Sequence, residues 1–379
     1  MNVVISRQPL AQLIGKMQSI VPSKPALPIL VNILLEAIDD QLIITATDLT
    51  VSMRLYAEAK VIEEGSIALP ARRFFQLVRE LSSPQIKITA QGSETAEITA
   101  GSSFFKLHGM HKTEFPTLPD LSNTPSFSMP AKKLRELFLK TSFSAAKDDT
   151  RYVLNGVLLQ IANKQASFTA TDGKRLAKVQ TEIDIDPAFK ESHIFPLKAV
   201  DEMMKLLESE EEEAYLSLLP DKASLEIGNT TLITKLLAGQ YPDIEKVIPK
   251  KSLHTISLHR EELIALLRQI SLFTSDLSGS VRFHFTKGSL QLTAASAELG
   301  EGQVSMPVNY EGEPLEIAFN PFYFIDILRH IQEETVHFSI NDSYNPGLVT
   351  DSAKSLFVIM PMRITETTPV NVSEKPVLA

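Results

Sequence analysis

Six stretches of the chain repeat one spacing of apolar residues, i, i+3, i+4, i+7, which places four side chains on a single helical face. They are Leu10, Leu13, Ile14 and Met17; Phe74, Leu77, Val78 and Leu81; Leu134, Leu137, Phe138 and Thr141, weakest at its last position; Val200, Met203, Met204 and Leu207; Leu263, Leu266, Leu267 and Ile270; and Phe324, Ile327, Leu328 and Ile331. Successive sets begin 64, 60, 66, 63 and 61 residues apart. Between them run alternating β-branched and aromatic segments, such as Val281, Phe283 and Phe285 interleaved with Arg282 and His284, then Leu290 and Leu292 after Lys287-Gly288. Such alternation, broken by turn residues, predicts antiparallel strands and hairpins. Each unit is one helix followed by several strands, an α+β organisation.

Short strings pair these units. TATD at residues 45–48 recurs at 169–172, and the related TAAS stands at 293–296, both steps being 124 residues. ALPARRFF around Pro70, IFPLKAVD around Pro196 and AFNPFYFI around Asn320 are spaced 126 and 124 residues apart. One apolar stripe alone reads as core packing, but self-similarity at a long fixed period signals repeated structural domains. Prolines interrupt the pattern after FPTLPDLSNTP and YPDIEKVIPKK, so the predicted domains are 1–125, 126–251 and 252–364. A polar, proline-containing tail, 365–379, follows and is expected to be flexible.

At 379 residues, 44% hydrophobic and 22% charged, the composition is that of an ordinary globular protein of two or three domains. No apolar run approaches the roughly 20 residues of a membrane helix, and MNVVISRQPL lacks a basic region followed by an apolar one. The absence of cysteine excludes disulfides, thiol nucleophiles and cysteine-type zinc sites, and suits the cytoplasm.

A formal charge of -9 argues against a protein that coats nucleic acid unless its cations are segregated. They are. The predicted helices, 7–20, 71–81, 131–142, 197–208, 259–271 and 321–331, hold 14 Lys and Arg against 8 Asp and Glu, so they are +6 and the remainder is -15. The cations are Arg7, Lys16, Arg72, Arg73, Arg79, Lys132, Lys133, Arg135, Lys140, Lys198, Lys205, Arg260, Arg268 and Arg329. If the helices face a common surface, it offers these groups to phosphates while the acidic remainder keeps the particle dispersed. Solvated helix faces tolerate Lys and Arg equally well, so the count alone does not choose. The acidic run 208–213 reads as a solvated loop or helix end.

The chain has no G-x-x-x-x-G-K-[ST], G-x-S-x-G or H-E-x-x-H, and its eight histidines are scattered. Gly300-Glu301-Gly302 reads as a turn. Asp184 and Asp186 share one face of a predicted strand and read as a solvated edge rather than a divalent-ion site. Asp172-Gly173 reads as a turn after a strand. No catalytic residue, metal or cofactor is expected.

Seven strings, KPALPIL at 24–30, TATD at 45–48, PARRFF at 70–75, RYVLNG at 151–156, TDGKRL at 171–176, YPD at 241–243 and VIMPMR at 358–363, stand in the order and spacing of the bacterial beta sliding clamps, the DNA polymerase III beta subunits. The chain resembles that family from its first helix to Ile364. The resemblance implies a DNA clamp fold of three domains, each of two helix-plus-antiparallel-sheet halves, with two chains closing head to tail into a ring whose helices line the hole. It implies a processivity factor without a reaction of its own, which encircles duplex DNA irrespective of sequence. The implied partners are a second copy as homodimer, DNA polymerase III, the clamp loader and other replication and repair proteins carrying a peptide motif, and no membrane. A closed ring holds DNA by topology, which suits an acidic chain.

By matched position, the resemblance assigns DNA contact to Lys24, Arg73, Tyr152 and Lys198. Some members carry two adjacent aromatics where this chain has Tyr152-Val153, and Lys147-Asp148-Asp149 beside them is more acidic than expected for a DNA-contacting loop. The joint implied is Phe105 and Leu107 against Leu272 and Phe273, with Arg73 and Lys106 facing Glu298 and Glu301. The implied partner groove accepts short apolar peptides, often with a glutamine and a Leu-Phe pair. Its matched residues are Leu154, Thr171, Gly173, Lys174, Arg175, Leu176, Pro242, Lys246, Val247, Asn320, Tyr323, Val358, Ile359, Met360, Pro361 and Met362. Asn345-Pro346 occupies a flap that often carries an arginine, and Val377 and Leu378 of the tail are apolar enough to compete weakly for the groove. Two other readings stay open on the residues alone: a non-ring repeat adaptor that binds peptides, and a β-rich enzyme with an unrecognised site. Retention on circular DNA separates the first from a clamp, and a catalytic constellation would mark the second.

Overall fold

The computed structural model describes residues 1–90, 92, 94–119, 121, 124–208, 212–274, 279–352 and 355–363. All six predicted helices are present: α1 Arg7–Met17, α2 Ala71–Glu80, α3 Ala131–Ser142, α4 Leu197–Leu206, α5 Arg260–Ser271 and α6 Pro321–Arg329. They pack in pairs, α1 with α2, α3 with α4 and α5 with α6. The buried face of α1 is the predicted Leu10, Leu13, Ile14 and Met17, and α3 buries all four of its predicted residues, Thr141 included. In α5 the buried set is Leu263, Ile264, Leu267 and Ile270, with Ile264 in place of the half-exposed Leu266. Each such fully buried Leu, Ile or Phe side chain is worth about 1.5–3 kcal/mol relative to exposure.

The chain separates into two compact units, one formed by Met1–Phe168 with Gln180–Tyr241, the other by Thr169–Val179 with the chain from Pro242 onward. In the first, an eight-stranded antiparallel sheet runs Ser126–Pro130, Glu213–Leu218, Lys222–Ile227, Thr230–Lys235, Val51–Glu58, Gln41–Thr47, Asn32–Ile38, Gly65–Pro70. Thr230–Lys235 pairs directly with Val51–Glu58, so this sheet crosses the boundary expected at 125. A five-stranded sheet, Lys60–Glu63, Asn2–Ser6, Gln85–Ala90, Thr95–Ala100, Ser103–His108, completes the same unit's first repeat. The second unit repeats the scheme. Arg175–Glu182, Leu356–Ile359, Gly347–Thr350, Thr335–Ile340 and His254–His259 are successive antiparallel neighbours, and a four-stranded sheet runs Gly300–Pro307, Ser289–Ser296, Val281–Thr286, Leu315–Phe319.

The repeated TATD string makes the same turn twice. Asp48 Oδ1 accepts the N–H groups of Thr50 and Val51 at 2.8 and 2.7 Å, and Asp172 Oδ1 accepts those of Lys174 and Arg175 at 2.8 and 3.0 Å. The preceding hydroxyls, Thr47 and Thr171, accept the N–H of Leu49 and of Gly173, each at 3.0 Å. Side-chain oxygens thus satisfy the turn's donors locally, which is why the string recurs wherever this hairpin does. Both turns place their third residue at positive φ, Leu49 at 75° and Gly173 at 85°, a conformation free of steric cost only for glycine.

Three local expectations need correction. Gly300-Glu301-Gly302 is the start of a strand; a Cβ on Gly302 would lie 2.8 Å from the Phe273 ring, so this glycine admits an aromatic against backbone. Asp184 and Asp186 lie past the end of strand Arg175–Glu182, and Asp186 Oδ1 accepts the Ala188 N–H at 2.8 Å in a turn. Two of the helix cations are unavailable to a ligand. Lys140 is buried and paired with Glu136 at 3.2 Å, and Arg260 spends its guanidinium on the carbonyls of Glu333 and Leu328 and on Glu261. The tail 365–379 lies outside the described residues, as do 209–211 of the acidic run. Among the described residues no helix is long and apolar enough to cross a membrane, and no group of three or more His, Cys, Asp or Glu is placed to hold a metal ion.

Candidate functional site

The four residues matched to DNA contact all belong to the first unit and all are exposed. Tyr152, at 75% exposure, stands on a braced pedestal: Asn155 accepts the Asp149 N–H at 3.0 Å and donates to the Asp149 carbonyl at 2.9 Å. Asp149 in turn accepts Arg151 Nε at 3.0 Å, Nη2 at 2.8 Å and the backbone N–H at 2.8 Å. These Arg151 bonds hold the Asp149 carboxyl down to about 2. The acidic loop is therefore partly self-neutralised, which removes much of the electrostatic objection to a neighbouring phosphate. Among the described residues Lys24 has no ion pair, whereas Lys198 Nζ is bound to the Asp48 carboxylate. Burial pushes the Asp48 carboxyl up, but the Lys198 hydrogen bond and the N–H groups of Val51 and Thr50 outweigh it and hold the group below its ordinary value. Lys198 is thus tethered in the turn made by the first TATD string.

The residues matched to a joint divide between the units. In the first, Ser103–His108 is an edge strand, with Phe104 59% and Phe105 39% exposed. Phe105 borders a cavity of about 400 Å³ whose walls include Arg73, Leu77 and Leu81. Leu107 is buried, contrary to its assignment as an interface side chain; Phe104, unassigned, is the more exposed aromatic. In the second unit Gly300–Pro307 is also an edge strand. Phe273 packs on the Gly302 backbone, while Leu272, just past α5, is 73% exposed. Lys106, Glu298 and Glu301 are exposed. Open edges and exposed apolar side chains together mark surfaces that a partner covers.

Of the groove residues, all but Leu154 fall in the second unit; Leu154 is in the first and buried. Arg175 organises the wall. Its Nη1 donates to Asp326 at 2.7 Å, its Nε to Asp172 at 3.3 Å, and its guanidinium carbon lies 4.6 Å from the centre of the Tyr323 ring. Asn320 caps α6, accepting the N–H groups of Phe322 and Tyr323 at 2.9 and 3.4 Å, with Pro321 at the first helical position; this is the structural content of AFNPFYFI. The VIMPMR segment is tied at both ends, by Met360 N–H to the Lys174 carbonyl at 2.9 Å and by Met362 N–H to the Ala318 carbonyl at 2.7 Å. Met360 and Val247 are exposed, Pro361 and Met362 half-buried. Thr171, Leu176, Val358 and Ile359 are buried, so they support the surface rather than form it.

Repeated domains of paired, cation-bearing helices backed by antiparallel sheets, with open edge strands, define a DNA clamp. The beta subunit models of DNA polymerase III match throughout: the N-terminal domain over residues 1–119, the central domain over 128–243 and the C-terminal domain over 245–363. A beta sliding clamp of Chlamydia trachomatis is 51% identical over 364 residues, covering 96% of this chain and 87% of that one; one of Vibrio cholerae is 31% identical, covering 96% and 100%. The crystal structure of a Pseudomonas aeruginosa sliding clamp superposes with a TM-score of 0.92 at 30% identity, and that of the Bacillus subtilis clamp with 0.92 at 25%, each covering 96% of this chain and 100% of the other. The chain belongs to the bacterial beta sliding clamp family and so is a three-domain DNA sliding clamp of replication with no reaction of its own. Membership does not favour the adaptor and enzyme readings.

Proposed function

We propose that two copies close head to tail around duplex DNA in the cytoplasm, tethering DNA polymerase III and receiving the clamp loader and other peptide-motif proteins at the groove of the second unit. The domains are taken as 1–125, 126–251 and 252–364. The observation that carries this reading is the charge on the helices: the six observed carry 14 Lys and Arg against seven Asp and Glu in a chain of net charge -9. Twelve of those cations remain on or near the helix surfaces once Lys140 and Arg260 are set aside. Loaded by its cognate loader onto a nicked circle, the protein is expected to stay bound, and to be lost when the circle is linearised. Retention on the linear product would mean that DNA is held by affinity rather than topology.

Direct contacts are assigned to Lys24, Arg73, Tyr152 and Lys198. Because phosphate contacts release counterions, each one removed is expected to lower the slope of log affinity against log salt by about one. Lys24→Glu and Lys198→Glu should both reduce loading while leaving the dimer intact. Lys24→Glu should have the larger effect, because Lys198 already has Asp48 as its counterion. Equal loading by both variants and the parent chain would remove these two residues from the contact set.

A further inference from the structure

The first unit holds a second cavity, of about 670 Å³, lined by none of the residues assigned to DNA, the joint or the groove. It lies on one face of the eight-stranded sheet, under the segment that leads from Phe115 to strand Ser126–Pro130. Tyr215, Glu226, Thr231 and Arg54 are successive cross-strand partners, so their side chains share that face, while Met53 and Leu55, the neighbours of Arg54 along its strand, are buried on the other. Leu118, Pro119 and Leu121 supply the opposing wall. That wall has a fixed root, because Phe115 is buried in a cluster with Leu34 and Ala68 of the same sheet.

Arg54 is the anomaly of this cavity. Its Nε is buried without a hydrogen-bond partner, and no ion pair holds its guanidinium among the described residues. Thr45, its cross-strand partner on the other side, is 2% exposed and its hydroxyl is unpaired as well. Glu226 stands two strands away across Thr231, a separation of about 10 Å between backbones. The second repeat closes the corresponding position. One 124-residue step on from Arg54 is Lys178, whose Nζ meets Glu245 at 2.6 Å. Phe115-Pro116 and Tyr241-Pro242 stand 126 residues apart, so the first repeat has Pro119 where the second has Glu245. A buried donor left without an acceptor is costly, and here an acceptor from outside the chain would remove that cost.

The walls narrow the occupant. A guanidinium donates two parallel hydrogen bonds to a carboxylate, and Glu226 on the same face disfavours a multiply charged anion such as a phosphate. Tyr56 and the 48% exposed Tyr215 also line the cavity. Tyrosine and arginine are the residue types that most often carry binding energy between proteins. The hydroxyls of Ser126, Ser217 and Thr231 add partners for peptide groups. A cavity of this volume holds a drug-sized ligand rather than a lone ion.

We propose that this cavity is a second peptide site, which takes a partner segment bearing a glutamate or aspartate for Arg54 beside an aromatic residue held between the two tyrosines and the 118–121 wall. It does not depend on the groove reading. The probes are three capped dipeptides, N-acetyl-Glu-Phe-amide and its Gln-Phe and Lys-Phe counterparts, titrated against the full chain by saturation-transfer NMR. The Glu-Phe probe is expected to bind about tenfold more tightly than the other two, the effect of one charge-assisted bidentate contact, with the advantage shrinking as salt rises. Arg54→Gln should erase the advantage while mass and melting temperature stay those of the parent chain. Pro119→Glu, which offers Arg54 the carboxylate that Lys178 already has, should erase it too. Equal affinity for the three probes, or an advantage that survives Arg54→Gln, overturns the site. So does loss of Glu-Phe binding in Met362→Asp, which would put the dipeptide in the groove instead. N-acetyl-glutamate amide binding as tightly as the Glu-Phe probe would overturn the peptide reading in favour of a small carboxylate.

Discussion

Leu272→Asp is expected to leave the protein a monomer of about 42 kDa by light scattering, where the parent chain has twice that mass. The side chain is almost fully exposed in a single chain, and its neighbour Phe273 is fixed against Gly302, so Leu272 is presented from a rigid base at the end of α5. A cavity beside Phe105 on the first unit offers an apolar receptor of suitable size. An ionised carboxylate there forfeits the burial of the leucine against Leu77, Leu81 and Phe105 and meets Glu80 as well as Arg73, and a loss of about 3 kcal/mol is already more than a hundredfold in dissociation constant. A head-to-tail ring has two identical joints, so one substitution acts twice. The folded monomer should unfold at nearly its parent temperature, because Leu272 contributes little to its own core. An unchanged mass would remove Leu272 from the interface, and monomers with a greatly lowered melting temperature would point to misfolding instead.

The division between legible and illegible features follows from which interactions are local. Helix faces are readable because an apolar i, i+3, i+4, i+7 pattern has only one way to be buried; the exceptions are single positions, Leu77 in α2, Met204 in α4 and Leu266 in α5, each half-buried, with Ile264 buried beside the last. The TATD turn was readable for the same reason, its hydrogen bonds all closing within three or four residues. Depth was not. Leu107 and Phe105 share one face of a strand, yet Leu107 is covered and Phe105 is not, because the coverage comes from chain far away in sequence. Matching motifs likewise named Thr171, Leu176, Val358 and Ile359 without revealing that they lie beneath the surface. Lys140 looked like any other helix cation until Glu136 and the packing around α3 enclosed it.

Met362→Asp is expected to lower the affinity for a short Leu-Phe peptide at least a hundredfold while leaving the dimer's mass unchanged. The two effects separate because Met362 is only half-buried in the free chain, so an aspartate there keeps much of its hydration and the fold loses little. Its backbone stays tied to Ala318, and Tyr323 stays under Arg175, so the shape of the site survives the change. Only when an apolar peptide covers the wall must the new carboxylate give up water, and Arg175, the cation that organises the wall, is already bound to Asp326 and Asp172. That desolvation costs several kcal/mol, and 2.8 kcal/mol is a hundredfold. Methionine at this position also gives the wall an unbranched, polarisable side chain that repacks around different peptides, so the loss should extend to every partner rather than to one. Loading should fall as well if the clamp loader enters by the same groove, so Met362→Asp would yield closed dimers that fail to reach DNA, whereas Leu272→Asp yields monomers. Undiminished peptide affinity in a folded Met362→Asp dimer would place the partner site elsewhere on the ring.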